Sequence, residues 1–463
     1  MNRKSVWTLV VLTLIAAFVL SACAPAAAPA SAPAKPAEQP TTAPAQPAQP
    51  AAPAAGAVEL RWRTRPDNKE EAAVYAGISD DLAKSLGYKL TYEPGGSETS
   101  SYQDVLKTEI GAGTAPDVFW IPGTDTADFA TRGLTLNLYD MAVKDGFDPA
   151  AFYPGPMYHL TYNPQNGKSG KDSGALWGLP RDVSTFVLYL NLDLLNEAGA
   201  PDPRELAKQG KWDWDAFVNV AAKVRALGSD VYGYGANAWW GPYGVWLNAA
   251  GGSFFNADRT ACALNTPEAL KGLEFQASLY KAGKDVAVPY GEDSEPPFKA
   301  GKVAMFQNGR WGTPGIRQVT FNWDVVELPN GPSGTPGNWL FWGSYAVNAK
   351  TKHPAEAWKL VQALTQADTQ GKVASLGANI PSRVSKEALD KFLTFTPPAN
   401  NQAFLNGIAD KAKPTAEGPV WAGSWPEYDA IVGPAVQAVL TGKQTVSDFG
   451  KAICDQANKV FKK

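Results

Sequence analysis

From Val58 onward the chain alternates short strand-patterned segments with longer helix-patterned ones, which restricts it to a sheet with helices laid across its faces. Val58–Arg63 (VELRWR) alternates apolar and polar side chains, the period of a half-buried strand. Glu70–Leu86 follows, with Ala72, Ala73, Tyr75, Ile78 and Leu82 at core-facing helical spacing. Tyr88–Tyr92 reads as a second strand, Tyr102–Ile110 as a helix closed by Gly111-Ala112-Gly113, and Val118–Ile121 as a third strand. This β-α-β-α-β order implies a mainly parallel sheet with right-handed crossovers. Ligands of such sheets bind beyond the carboxyl ends of the strands. Arg65 and Asp67 leave the first strand there, and Asp125 follows the third.

Further along, Trp177–Asn191 (WGLPRDVSTFVLYLN) reads as a turn running into a β-branched and aromatic strand that carries Asp182 and Ser184. Asp213 is placed to cap the helix whose apolar face is Phe217, Val220, Ala221 and Val224. Thr266-Pro267 starts another helix, and Thr445 the last one. Gly233–Gly252 is dense in aromatics, with Trp239, Trp240, Tyr243 and Trp246. In Gly301–Arg317 (GKVAMFQNGRWGTPGIR), Val303–Phe306 is a buried strand, Gln307–Gly309 a turn, and Trp311 stands where the chain leaves the sheet. Trp339–Asn348 is another strand and includes Ser344, Pro397–Pro419 is rich in Pro and Asn, and Ile431–Val460 is helical.

The 463 residues, 44% hydrophobic and 19% charged, suffice for two or three domains. The net charge of -3 argues against nucleic acid as a partner, because phosphate binding needs a basic surface. Residues 1–22 read as a signal peptide: Arg3 and Lys4 precede the apolar stretch Val6–Leu20, too short to span a bilayer as a helix. Leu20-Ser21-Ala22-Cys23 looks like a lipobox, in which cleavage leaves Cys23 for lipidation; the alternative is an ordinary secretory signal with an incidental cysteine. Residues 23–57 are then the lipidated Cys and an Ala/Pro-rich tether whose prolines favour extended chain reaching roughly 100 Å. Cys262 and Cys454 either pair as a disulfide or remain two buried thiols. With only His159 and His353, and no metal-ligand spacing, neither a metal site nor a cofactor is expected. No P-loop or nucleophile elbow is present.

The segment G-K-x-A-M-x-x-x-G-x-W at Gly301–Trp311 resembles a signature of family 1 extracellular solute-binding proteins, the maltose-binding-like receptors of ABC importers. Several further motifs fall in the family's order. They are the run GAGTAPDVFW, the crossover-like WGLPRD…LYLN, Ala250-Gly251-Gly252, His353-Pro354-Ala355-Glu356-Ala357-Trp358, and Ile380-Pro381-Ser382-Arg383. The resemblance implies an α/β two-lobe periplasmic-binding-protein fold of type II, with three inter-lobe crossovers and a ligand cleft between the lobes. It places lobe one at about 58–183 plus 344–395 and lobe two at about 184–343 plus 396–463. It also implies a monomeric receptor that sits outside the cytoplasm, held to the bacterial cell membrane by its lipid, and works with ABC permease transmembrane subunits.

Sugars have apolar faces and polar edges, so a site for them combines aromatic platforms with planar hydrogen-bonding groups. The platform candidates are Trp311, Trp239, Trp240, Tyr243 and Trp425, with Trp421 as a further one. The polar candidates are Arg65, Asp67, Asp125, Asp182, Ser184 and Ser344. Near Ser184 the maltose-binding relatives carry an acid, a departure that speaks against maltodextrin as the ligand. The expectation is a receptor that closes on a carbohydrate and performs no chemistry. The alternatives are a receptor for a non-sugar such as a polyamine, and a secreted carbohydrate-active enzyme using Asp125 and Asp182 across a cleft.

Overall fold

Ten strands occur among the described residues of this computed structural model: β1 (Glu59–Thr64), β2 (Lys89–Pro94), β3 (Val118–Pro122), β4 (Leu179–Ser184), β5 (Phe186–Asn191), β6 (Tyr232–Ala236), β7 (Val303–Gly309), β8 (Trp323–Val326), β9 (Phe341–Val347) and β10 (Ile380–Pro381). The described residues are 58–66, 69–95, 102–281, 285–377, 379–408 and 418–461. The signal segment, Cys23, the Ala/Pro tether and Asp67 lie outside them. The strands form two sheets, one in the order β10-β4-β9-β3-β1-β2 and the other β6-β7-β5-β8.

The opening alternation folds as read, with β1 parallel to both β2 and β3. The sheet as a whole is not mainly parallel, which corrects the expectation. β9 runs antiparallel between β3 and β4, and β10 is antiparallel to β4. The cause is connectivity: β9 arrives from the other sheet rather than through a crossover helix, so nothing obliges it to run parallel. The segment Trp177–Asn191 is likewise two strands instead of one. β4 belongs to the six-stranded sheet and β5 to the four-stranded one, with Thr185 between them. Strand alternation then sorts β5: Phe186, Leu188 and Leu190 enter one core cluster, Val187 and Tyr189 the other. The expected turn at Gln307–Gly309 is also strand, because these residues pair with Leu188, Val187 and Phe186; the chain turns at Arg310–Gly312.

Where the chain passes between sheets, buried side chains tie the passages together. Asn338, just before β9, accepts from the Phe186 backbone N–H (3.0 Å) and donates to the Phe186 carbonyl (2.7 Å), so its amide imitates a neighbouring strand. The Thr185 hydroxyl donates to the Phe404 carbonyl (2.6 Å) in the helix Gln402–Ile408. Asn338 is 4% exposed, so removing its amide orphans both backbone groups away from water. Asn338→Ala is expected to lower stability by about 2–4 kcal/mol in denaturant unfolding. A loss below about 1 kcal/mol would show that water replaces the amide there.

The helices start where capping chemistry puts them. Asp213 accepts from the Ala216 N–H and Thr445 from the Asp448 N–H. The helix Trp240–Ala249 differs: all ten of its residues are buried, so it has no solvent face. Cys262 is bonded to Cys454, which joins the loop after Phe255 to the last long helix, Val446–Ala457.

Candidate ligand-binding cleft

A cleft of ≈ 740 Å³ lies where the two sheets present their strand ends to each other. Arg65 comes to it directly after β1, Thr124 after β3, Asn237 after β6 and Trp311 after β7. Strand ends converge on it from both sheets, as the rim rule requires.

One wall is aromatic. Trp311, half-buried, meets Phe186 and Phe341 edge-on, with ring centroids 5.9 and 5.4 Å away, and Trp239 lies 6.3 Å away. Trp239 in turn meets Trp240 at 5.2 Å. Each exposed platform is seated on a glycine. A Cβ added at Gly309 would strike the Trp311 ring, and one at Gly241 would come within 2.5 Å of Trp239. The same device recurs on the opposite wall, where Gly343 lies under Trp120 and Gly123 under Trp342. With no side chain beneath them the indoles lie against backbone, which fixes their planes without filling the cleft.

The other wall is polar, and a bulge builds it. β4 and β9 shift register between Pro180 and Asp182, so Arg181 has no partner of its own in the ladder. Neighbours on a regular strand point to opposite faces; the bulge lets Arg181 and Asp182 both line the cleft. Their side chains pair, Arg181 Nε to Asp182 Oδ2 at 2.7 Å. Arg181 Nη1 also donates to Thr64 Oγ1 (2.8 Å) and to the Arg65 carbonyl (2.9 Å). The guanidinium of Arg181 lies 5.2 Å from the Trp120 ring centroid and that of Arg65 5.0 Å. Asn237 and Asn308 add amides from the four-stranded side, together with the Glu295–Lys299 pair at 2.6 Å.

Of the residues singled out in the sequence, Trp311, Trp239, Trp240, Arg65, Asp182 and Ser184 line this cleft. Ser184 is engaged already, its hydroxyl accepting from the Arg310 backbone N–H at 2.9 Å. Tyr243, Trp425, Ser344 and Asp125 do not line it, which corrects their placement. Tyr243 is 1% exposed on the wholly buried helix and packs on Phe254. Trp425 is buried against Trp240 (5.0 Å), behind the platform rather than on it. Ser344 is fully buried in β9 between β3 and β4. Trp421 stacks on Tyr162 at 5.0 Å, outside the cleft lining. The sequence reading passed over Arg181, Trp120, Trp342, Asn237 and Asn308. Asn237 and Asn308, like Trp311, stand at a strand end, whereas Trp120 and Trp342 look like core, the first inside the all-apolar VFWIP and the second next to Phe341.

Asp125 is 5% exposed, and burial pushes its carboxyl up to about 6 against the opposing pull of Lys107 and the Thr124 hydroxyl. The folded state therefore holds this proton more tightly than the unfolded chain, and the group's contribution to stability is lost as pH rises from about 4 through about 6. Relative to the wild type, Asp125→Asn should gain about 1–3 kcal/mol between about pH 4 and pH 7 in paired unfolding titrations. A pH-independent difference would place the titration elsewhere. Among the described residues no group of three or more His, Cys, Asp and Glu side chains is arranged to hold a metal ion.

Two sheets joined by exchanged strands, with a ligand-sized cleft between their strand ends, define a two-lobed binding protein of the type II periplasmic class. The chain belongs to the bacterial extracellular solute-binding protein family, which matches over residues 78–404. It is 27% identical over 371 residues to a putative binding protein of Brucella abortus, covering 77% of this chain and 82% of that one. It is 25% identical over 354 residues to the galactooligosaccharide-binding protein of Bacillus subtilis, covering 73% and 75%. Its fold matches an ABC substrate-binding protein of Listeria monocytogenes in complex with cycloalternan, with a TM-score of 0.75 at 21% identity over 88% of this chain and 100% of that one.

Proposed function

We propose that this protein is the receptor of an ABC importer, capturing a carbohydrate outside the cytoplasm by closing its two lobes and delivering it to the permease. The observation that carries this reading is the pairing of walls: glycine-seated indoles at Trp239 and Trp311 face a wall of guanidinium, carboxylate and amide groups. That matches the apolar faces and polar edges of a pyranose. The galactooligosaccharide-binding relative and the cycloalternan complex of the structural neighbour support the same ligand class. Closure would turn about the tied passages at Thr185 and Asn338, because a ligand touching both walls stabilises only the closed state. The lobes would run at about 58–183 plus 344–395 and 184–343 plus 396–463, working as a monomer.

Neither cleft carboxylate is free for acid–base work or for a polycation. Asp182 pairs with Arg181 and Glu295 with Lys299, which favours capture without chemistry and disfavours a polyamine. Anchoring would come from Cys23 through lipid; among the described residues no helix is long and apolar enough to cross a membrane.

The test is calorimetric titration of the purified protein with neutral and acidic oligosaccharides and with spermidine, alongside melting curves. A bound sugar at about 100 times its Kd should add about 2.7 kcal/mol to stability and be recovered intact. Binding of spermidine alone would overturn the ligand class, and recovery of a cleaved sugar would make the protein an enzyme.

A further inference from the structure

The charges in the cleft do not balance. Among the described residues three cationic side chains line it, Arg65, Arg181 and Lys299, against two carboxylates, Asp182 and Glu295. Arg181 and Lys299 are each committed to one of those carboxylates. Arg65 has no ion pair among the described residues; its guanidinium rests over the Trp120 ring at 5.0 Å. The chain as a whole carries a net charge of -3, so a positive excess in this one concavity is a local feature. Low-dielectric walls focus such a charge onto whatever enters.

The arrangement is also held in advance of any ligand. Stacking on Trp120 restricts the Arg65 side chain, and Arg181 Nη1 binds the Arg65 carbonyl and so pins the backbone that carries it. A planar fork fixed in this way recognises a carboxylate or phosphate through paired hydrogen bonds, with less ordering left to do on binding. Trp120 is occupied by the guanidiniums of Arg65 and Arg181, which leaves ring stacking to Trp239 and Trp311 on the opposite wall.

We infer that the cleft takes an anionic carbohydrate, with a sugar ring against Trp239 and Trp311 and a carboxylate or phosphate group directed to Arg65. This rests on the receptor reading and narrows its ligand to an acidic sugar, either a uronate or a sugar phosphate.

The experiment is calorimetric titration of the purified protein with trigalacturonate, its fully methyl-esterified form, glucose 1-phosphate and maltotriose. Trigalacturonate or glucose 1-phosphate should bind at least about tenfold tighter than the ester and maltotriose, and added salt should weaken that binding. Whichever of the two acids binds tighter identifies the anion as carboxylate or phosphate. Arg65→Gln should bring the preference for acid over ester to within about twofold, while Arg65→Lys keeps part of it. Melting curves of both variants check that they fold. Equal binding of ester and acid overturns the inference, as does a preference that survives Arg65→Gln. Binding of the two neutral probes alone removes the anionic ligand and leaves the carbohydrate receptor standing. Binding of none of the four counts against both.

Discussion

Trp311→Ala weakens binding of the cognate sugar by about thirtyfold or more, roughly 2 kcal/mol, with a much smaller change in folding stability. The asymmetry follows from where the ring sits. It is half-buried at the cleft, closing against Phe186 and Phe341 edge-on, so its removal opens space toward solvent rather than a sealed void in the core. What is lost is the flat surface on which a pyranose would rest. Gly309→Ala provides the companion measurement, since the added methyl collides with the same indole and displaces it without deleting it. Binding should fall in that variant too, at a stability cost of about 1–3 kcal/mol from overpacking. Calorimetry on the two variants decides the matter. If Trp311→Ala binds as the wild type does, the platform is structural and the stacking surface lies at Trp239.

Breaking the Cys262–Cys454 bond has the second large effect, and here stability carries it. The two cysteines are 192 residues apart, so the bond closes a long loop in the unfolded chain. The chain-entropy argument places its contribution toward the upper part of the range for disulfides, about 4 kcal/mol. Reductant should lower the unfolding midpoint accordingly, and Cys262→Ala should reproduce the shift and abolish any further response to reductant. A midpoint indifferent to reductant would mean that the helix Val446–Ala457 is held by its packing alone. The bond suits a family that works outside the cytosol, where thiols oxidise.

The sequence carried the order of elements better than the faces they present. The alternation from Val58 to Ile121, the caps at Asp213 and Thr445, and the position of Trp311 past a strand end all depend on local chemistry, and local patterning records it. Which residues share the cleft depends on tertiary register. Arg181 reaches it because of a bulge, and no local signal in Leu179–Ser184 announces one. Tyr243 and Trp425 carry the same aromatic signal as Trp239, but the first lies on a helix with no exposed face and the second behind Trp240. Ser344 is on the right strand, yet the residues of that strand that reach the cleft with large side chains are Phe341 and Trp342. Antiparallel insertion of β9 was invisible for a related reason: strand direction is set by where the chain comes from, and that was legible only once the passages between the sheets were in place.

Five of the chain's 16 tryptophans line one cleft, two of them with centroids 6.3 Å apart across Trp239 and Trp311. Indole emission shifts with the polarity of its surroundings, and rings this close pass excitation between them. A solute that drives water from the cleft therefore alters the light from several emitters at once, while the buried tryptophans of the core supply a steady internal reference. The glycine seats that hold the platforms flat thus also make the molecule an optical sensor of its own occupancy, without any attached dye.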